Sequence, residues 1–231
     1  MTPTDPVQGN AGLANLGPLE QLKAGRMPRR LLQLVVGLAI YGASMAMVVR
    51  GALGAIPWDV LHTGLIEHIP ITFGQMSILL AFAVLLMWIP LRQMPGLGTI
   101  ANVLLVGLAA DIALAILPLN DGIGARLALM LGGIVLNAMA TAMYIGSQFG
   151  PGPRDGLMTG LARISGHSIR LVRTSIEVFV VAVGALLGGS VGVDTVLYAL
   201  AIGPLAHWML PLFIVELREP NPPVNEFSSR L

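Results

Sequence analysis

The sequence predicts an all-α, polytopic membrane helical bundle. About six transmembrane helices form two inverted three-helix repeats, each with a short re-entrant or interfacial helix. Three observations predict it. First, 55% of the 231 residues are hydrophobic and only 11% are charged, whereas soluble domains carry about 25% charged residues. Second, several apolar segments approach the roughly 20 residues that cross a bilayer. Third, one phrase containing Pro-x-Asp occurs twice.

Six segments are long and apolar enough to span the bilayer, and two are too short. The predicted spans are residues 31–49, 72–90, 99–117, 127–145, 170–187 and 195–215, and the short segments are 57–69 and 153–164. Each short segment begins with a proline and an early aspartate, which favour the first turn of a helix.

The basic residues predict the orientation. Lys23, Arg26, Arg29 and Arg30 precede the first span, and an excess of Lys and Arg marks the cytoplasmic side. An even number of spans then leaves both termini in the cytoplasm. We expect residues 1–25 to be a disordered cytoplasmic tail, 26–120 and 121–217 to be the two membrane repeats, and 218–231 to be a C-terminal cytoplasmic tail.

The repeat is visible at an offset of 96 residues. Residues 54–65 read GAIPWDVLHTGL and residues 150–161 read GPGPRDGLMTGL, with seven of twelve positions identical. The same offset matches further residues outside the phrase, including Gly37 with Gly133 and Thr99 with Thr195. Because each repeat contains three spans, an odd number, the second copy should be inverted relative to the first.

The two Pro-x-Asp segments are the first candidates for a substrate site. If both enter the membrane, Asp59 and Asp155 approach a shared site near the midplane, where the starts of two helices can hold an anion. Trp58 and His62 accompany the first aspartate, and Arg154 accompanies the second. The alternative is that each aspartate caps its own short helix at the membrane interface.

A charged face follows the second segment. Arg170, Arg173 and Glu177 are spaced i, i+3 and i+7, so that they share one face of the fifth predicted span. A charge inside an apolar helix is costly unless it is paired or faces water. These residues either line a substrate cavity or have structural roles, with the two arginines as cytoplasmic anchors and Glu177 neutralised by Arg173.

Asp111 and His207 are candidates for proton or ion coupling. They occupy equivalent positions of the third and sixth spans, and both side chains can titrate. The alternative is that each lies close enough to a membrane face to be hydrated.

Other classes of function find little support. The net charge of +1 argues against nucleic-acid binding. The chain lacks cysteine, HExxH, GxSxG and a phosphate-binding loop. The sequence therefore predicts no enzyme, no metal site and no cofactor. The lipid bilayer is the expected partner, and a homo-oligomer is compatible with the sequence.

Four motifs resemble a known family. They are G-x-x-P-W-D-V-L-H-x-G-L at 54–65, G-x-G-T-I-x-N at 96–102, G-P-G-P-R-D-G-L-M at 150–158 and S-I-R-x-V-R-x-x-I-E at 168–177. Together they resemble the YczE/YyaS/YitT group of bacterial integral membrane proteins, with the YczE-like branch the most similar. The resemblance covers residues 31–216 and implies a multi-pass protein of the bacterial inner membrane. It implies no substrate or catalytic residue.

Two functions follow as expectations. The first is a small secondary transporter or permease for an unidentified small molecule, with the second Pro-x-Asp segment as the side that attracts anions. The second is a membrane scaffold or accessory subunit that docks a cytoplasmic partner or anionic lipid through its arginine-rich face. An intramembrane enzyme acting on lipid is disfavoured because no nucleophile is paired with a base.

Overall fold

The computed structural model describes residues 17–119 and 122–217. Within those residues the chain forms nine α-helices and no strand. The helices are α1 Pro18–Lys23, α2 Met27–Gly51, α3 Pro57–Ile66, α4 Phe73–Leu91, α5 Leu97–Ile116, α6 Ile123–Gly146, α7 Pro153–Ser165, α8 Ile169–Leu186 and α9 Val193–Phe213.

The predicted helical membrane bundle is confirmed. Five helices are long and apolar enough to cross a membrane, namely α2, α4, α5, α6 and α9. The helix α8 coincides with the fifth predicted span but is not among these five, because Arg170, Arg173 and Glu177 lie in its first half. The short helices α3 and α7 follow the two Pro-x-Asp phrases, as the sequence predicts.

The predicted disordered tail of residues 1–25 is wrong at its C-terminal end. Residues 18–23 form α1, which begins with a proline and is closed by a hydrogen bond from the Gly17 amide to Glu20 at 2.9 Å. The carbonyl of Gln21 accepts a hydrogen bond from Arg30 at 2.6 Å, which ties α1 to the bundle. The rest of the predicted N-terminal tail, the boundary between 120 and 121, and the tail at 218–231 lie outside the described residues.

The two halves of the bundle correspond helix by helix. The starts of α2 and α6, α3 and α7, α4 and α8, and α5 and α9 are each 96 residues apart. The packing corresponds as well: α2 lies along both α6 and α5, and α6 lies along α9. Likewise α3 packs on α8, and α7 packs on α4. Each half therefore completes the other.

Two arginines, one fully buried and one partly exposed, hold the turns that precede the short helices. Arg30 in α2 is fully buried and donates to the carbonyls of Ser147 at 2.9 Å and Gln148 at 2.8 Å. Its equivalent in the second half, Arg126 in α6, donates to the carbonyls of Gly51 and Ala52. Irregular backbone within a membrane domain needs such partners because no water is available there.

Main-chain contacts fix the same two turns at their far ends. The Gly98 amide at the start of α5 donates to the Phe149 carbonyl at 2.9 Å, and the equivalent Asp194 amide in α9 approaches the Leu53 carbonyl at 3.3 Å. Gly54 has a φ of +132° and its α-carbon faces the backbone of Gly192. A side chain at this position would be strained and would have no room.

The outer surface of the bundle is apolar, as contact with lipid requires. Large hydrophobic side chains are exposed along the long helices, for example Leu79, Phe82, Leu86, Ile89, Leu104, Leu108, Ile112, Val196, Leu200 and Leu212. The polar side chains described below instead point between the helices, so the chain is a polytopic membrane protein.

The halves differ in one contact. In the first half α4 packs closely on α5, where Gly107 lies against Gly74 and a β-carbon on Gly107 would come within 2.5 Å of the Gly74 carbonyl oxygen. In the second half α8 has no comparable packing on α9. Arg170 stands where α4 has Gly74, and Gly203, the equivalent of Gly107, faces open space.

We expect Arg30→Ala to destabilise the protein strongly. The variant removes a buried guanidinium that serves the carbonyls of Gln21, Ser147 and Gln148, and each hydrogen bond from a charged donor contributes about 1.5–3 kcal/mol. The midpoint of thermal unfolding in detergent should fall by roughly 5–10 °C. Arg29→Ala, which removes the exposed neighbour, should change it little; an equal loss in both variants would contradict this role of Arg30.

Candidate functional site

The two Pro-x-Asp phrases meet in the interior of the bundle. The guanidinium carbon of Arg154, in the first turn of α7, lies 5.0 Å from the centre of the Trp58 ring, in the first turn of α3. Trp58 and Arg154 are equivalent residues of the two halves. The halves therefore face each other through side chains that differ at a shared position, and a cation over an indole face is a favourable contact.

Asp59 and His62 support Arg154 from the first half. Both side chains are buried, and His62 Nδ1 lies 2.9 Å from Asp59 Oδ1. The Arg154 Nη2 atom lies 3.9 Å from Asp59 Oδ1 and 3.5 Å from His62 Nε2. These two contacts are longer than good hydrogen bonds, so the guanidinium keeps donor capacity for a ligand.

Both phrases line a small central cavity of about 70 Å³. The predicted substrate-binding residues Trp58, Arg154, Asp155, Arg173 and Glu177 all lie in its wall. Further polar residues complete the lining, namely Tyr41, Ser77, Asn102, Tyr144 and Tyr198. Asp59 and His62 lie behind this wall and contact the cavity through Arg154.

The acidic side chains of the cavity are held by neighbours. The Tyr144 hydroxyl in α6 donates to Asp155 Oδ2. Arg173 Nε donates to Glu177 Oε1 at 2.8 Å, the i,i+4 pair that the sequence predicts. Three helices thus fix the positions of two carboxylates and one guanidinium, which gives the cavity wall a defined polar pattern.

The cavity wall contains an unused donor. The Trp58 Nε1 atom is buried and has no hydrogen-bond partner among the described residues. It lies in the same wall as the Arg154 guanidinium. An unpaired buried donor is costly. The indole N–H of Trp58 and the guanidinium of Arg154 together suit a ligand that carries an acceptor or a negative charge.

A second, larger cavity of about 250 Å³ continues from the first. Tyr41, Tyr144, Asp155, Arg173 and Tyr198 line both. The second cavity extends along α9 from Tyr198 through Gly203 and Ala206 to Leu210, beside the last turns of α6. It therefore occupies the space left where α8 does not pack on α9.

Three predicted site residues do not join the central cavity. Arg170 is exposed and lines neither cavity. His207 lines only the outer part of the larger cavity. Asp111 lies in α5 and contacts the start of α4. Its carboxylate accepts hydrogen bonds there from the Thr72 hydroxyl and, at 2.7 Å, from the Gly74 amide.

Asp111 and His207, the candidates for proton or ion coupling, lie in different surroundings. No hydrogen bond or ion pair joins them within residues 17–119 and 122–217. Asp111 instead fastens the start of α4 to α5, since a carboxylate at a helix N-terminus is stabilised by the free amides there. Equivalent positions of two repeated halves need not be close to each other.

Several polar residues around the site were not predicted from the sequence. Asn137 in α6 donates to the Ser44 hydroxyl at 2.8 Å and accepts from the Tyr198 hydroxyl at 2.7 Å. Trp88 Nε1 donates to the Pro153 carbonyl at 3.0 Å, which positions the start of α7. Polar side chains within apolar spans were the available signal, because such residues are rare and usually face the protein interior.

Comparison with known proteins places the chain in a family. Residues 28–211 match a family described as "Family of unknown function (DUF6198)". An uncharacterized protein of Haemophilus influenzae is 38% identical over 177 residues, covering 77% of this chain and 81% of that protein. No solved structure matches the chain.

Two relatives in Bacillus subtilis carry the names that the motifs suggested. The uncharacterized membrane protein YczE is 32% identical over 178 residues, covering 76% of this chain and 82% of its own. The uncharacterized protein YyaS is 24% identical over 181 residues, which cover 77% of this chain and 90% of YyaS. The family match extends over most of the bundle and includes both Pro-x-Asp segments. The chain therefore belongs to this family of unknown function, which corresponds to the YczE and YyaS group of membrane proteins.

Proposed function

We propose that the protein is a small secondary transporter of the bacterial inner membrane that moves a small anionic solute. The observation that carries the proposal is the contact of Arg154 with Trp58 in the wall of a central cavity. Two broken membrane segments that meet around a polar cavity are the usual construction of a transporter site, with half-helix starts directed at the substrate. The solute would bind between these two residues.

The proposal includes inverted halves with both termini in the cytoplasm and α8 as the sixth span. The reciprocal contacts of Arg30 and Arg126 support it, since each half holds the turn of the other in the same way. The buried first turns of α3 and α7 support re-entrant rather than interfacial segments. In this arrangement the two Pro-x-Asp segments enter from opposite faces.

The unequal packing of the halves supports alternating access. At the ends of α4 and α5 that would face outward, Asp111 and the Gly74–Gly107 contact close the bundle. The equivalent ends of α8 and α9 would face the cytoplasm, and there the larger cavity opens beside Gly203. We infer a conformation open to the cytoplasm, in which the closed contact in the first half is the outer gate.

The alternative is a scaffold or accessory subunit that docks a cytoplasmic partner or anionic lipid. The exposed Arg170 favours this alternative. Against it, the exposed Arg163 donates to the Leu91 carbonyl at 2.6 Å, and Arg173 is paired with Glu177. The arginines of the predicted docking face are thus largely used for internal contacts.

Ligand binding tests the transport proposal. We expect some members of a panel of small inorganic and carboxylic anions to raise the thermal midpoint of the purified protein and to enter proteoliposomes. Arg154→Gln should weaken the apparent affinity for those anions roughly tenfold to a hundredfold, because a hydrogen bond to a charged group contributes about 1.5–3 kcal/mol. Arg170→Gln is the matched control and should bind normally.

Opposite results would contradict the proposal. If no anion distinguishes the wild type from Arg154→Gln, the central cavity is not the binding site. If Arg170→Gln instead loses a stoichiometric partner that the wild type retains, the scaffold function is correct.

Labelling of a single introduced cysteine tests whether the larger cavity opens to the cytoplasm. The chain has no cysteine, so a single introduced thiol reports one site. Ala206 lines the larger cavity, whereas Ala110, its equivalent in the first half, is fully buried. We expect Ala206→Cys to react with a membrane-impermeant thiol reagent from the cytoplasmic side and Ala110→Cys to react from neither side. Equal reaction of both, or reaction of Ala206→Cys only from outside, would contradict a conformation open to the cytoplasm.

A further inference from the structure

Asp194 is a buried acidic residue that the proposed substrate site does not use. It is the second residue of α9, its side chain is fully buried, and both of its carboxylate oxygens lack a hydrogen-bond partner among the described residues. A buried carboxylate of this kind is rare, because an ionised group inside a membrane domain is stable only with a partner. The arrangement therefore calls for a bound cation or a proton.

Asp59 is a second aspartate whose side chain is fully buried. Its Oδ2 atom is also buried without a partner, although Oδ1 is bonded to His62. The helices α3 and α9, which carry these two aspartates, are in contact. Two neighbouring carboxylates with three unpaired oxygens repel each other when both are ionised, so one of them holds a proton most readily.

The charged groups around this pair agree with that assignment. On α3 and α7, His62 and Arg154 both face Asp59, and no hydrogen bond or ion pair within the described residues links either of them to Asp194. On α6, Arg126 donates to the Gly51 and Ala52 carbonyls. Asp59 thus has the Arg154 guanidinium 3.9 Å away and a hydrogen bond to His62, whereas no ion pair or hydrogen bond among the described residues reaches the Asp194 carboxylate. Asp194 is therefore the residue that keeps the proton.

The start of α9 does not replace the missing partner. The N-terminus of a helix favours a negative charge, but neither oxygen of Asp194 accepts a hydrogen bond from it. The Gly192 amide approaches the Thr195 hydroxyl instead, at 3.2 Å, and the Asp194 amide faces the Leu53 carbonyl. Desolvation of an unpaired charge outweighs the remaining effect of the helix dipole.

We propose that Asp194, next to Asp59 under the first Pro-x-Asp segment, binds the proton whose movement drives solute transport. This inference rests on the proposed transporter function. The carboxylate would take up one proton from the outer side and release it to the inner side in each cycle. Asp59 links the two sites, since it lies on α3, which contacts α9, and its carboxylate also supports Arg154 in the cavity wall.

Infrared spectroscopy of the purified protein tests this site without any solute. The wild type should show, at neutral pH, the carbonyl stretch of a protonated carboxylic acid, and the band should disappear when the pH is raised. Asp194→Asn should lack that band. Glu216→Gln is the control, because the Glu216 side chain is 86% exposed, and it should retain the band. Asp194→Glu keeps a titrating group and should show the band at a shifted frequency. This variant shows whether the band disappears from Asp194→Asn only because that variant misfolds.

Three outcomes would overturn the proton site. One is a spectrum of Asp194→Asn identical to that of the wild type. Another is the absence of any protonated band in the wild type. The third is a thermal midpoint that sodium raises, relative to choline at fixed pH, in the wild type but not in Asp194→Asn, since the occupant would then be a sodium ion.

Flux measurements separate this inference from the transport proposal. If the inference is correct, Asp194→Asn loses uptake driven by a proton gradient but retains exchange of solute across the membrane. A protein that shows the infrared band but moves no solute would refute transport and leave the proton site in place. A protein that transports without the band would refute the proton site alone.

Discussion

The structure depends on one constraint, the need to satisfy main-chain groups in two turns that interrupt a membrane bundle. Each turn lies between a long helix and a short one, and neither can bond its own carbonyls. The solution is reciprocal. Arg30 serves the turn at Ser147 and Gln148, and Arg126 serves the turn at Gly51 and Ala52. Neither half can therefore reach its folded form without the other, and the first turns of α3 and α7 are held together as a consequence.

The same reciprocity gives the candidate site its character. Because Trp58 and Arg154 occupy equivalent positions, the symmetry brings them together, and because they differ in sequence the resulting cavity has one aromatic and one cationic side. The departure from equal packing is also local. In the second half Arg170 takes the place of Gly74, and α8 does not pack on α9 as α4 packs on α5. The helix pair α4 and α5 is therefore closed, whereas the equivalent pair α8 and α9 is open.

Much of this fold could be predicted from the sequence because its signals are strong. Apolar segments long enough to span a bilayer and a phrase repeated at a fixed offset located the helices to within a few residues. Residues of that phrase also make most of the contacts around the central cavity, including those of Trp58, Asp59 and Arg154. The offset also pairs Arg30 with Arg126. Both arginines flank predicted spans, where basic residues are common, so their contacts with the turns could not be predicted. Burial of Asp194 could not be predicted, since an aspartate at the start of a helix is usually hydrated. Likewise, the equivalent positions of Asp111 and His207 could not predict that Asp111 bonds to the start of α4.

The orientation of the two halves is the central claim, and labelling from one side of the membrane tests it most directly. Ile69, just after α3, and Ser165, the last residue of α7, are equivalent and exposed. In the cysteine-free chain, a membrane-impermeant maleimide applied to intact cells should label Ile69→Cys at once and should label Ser165→Cys only after the membrane is permeabilised. Labelling of both residues from the same side would contradict the inverted arrangement, and with it the proposed route through the cavity.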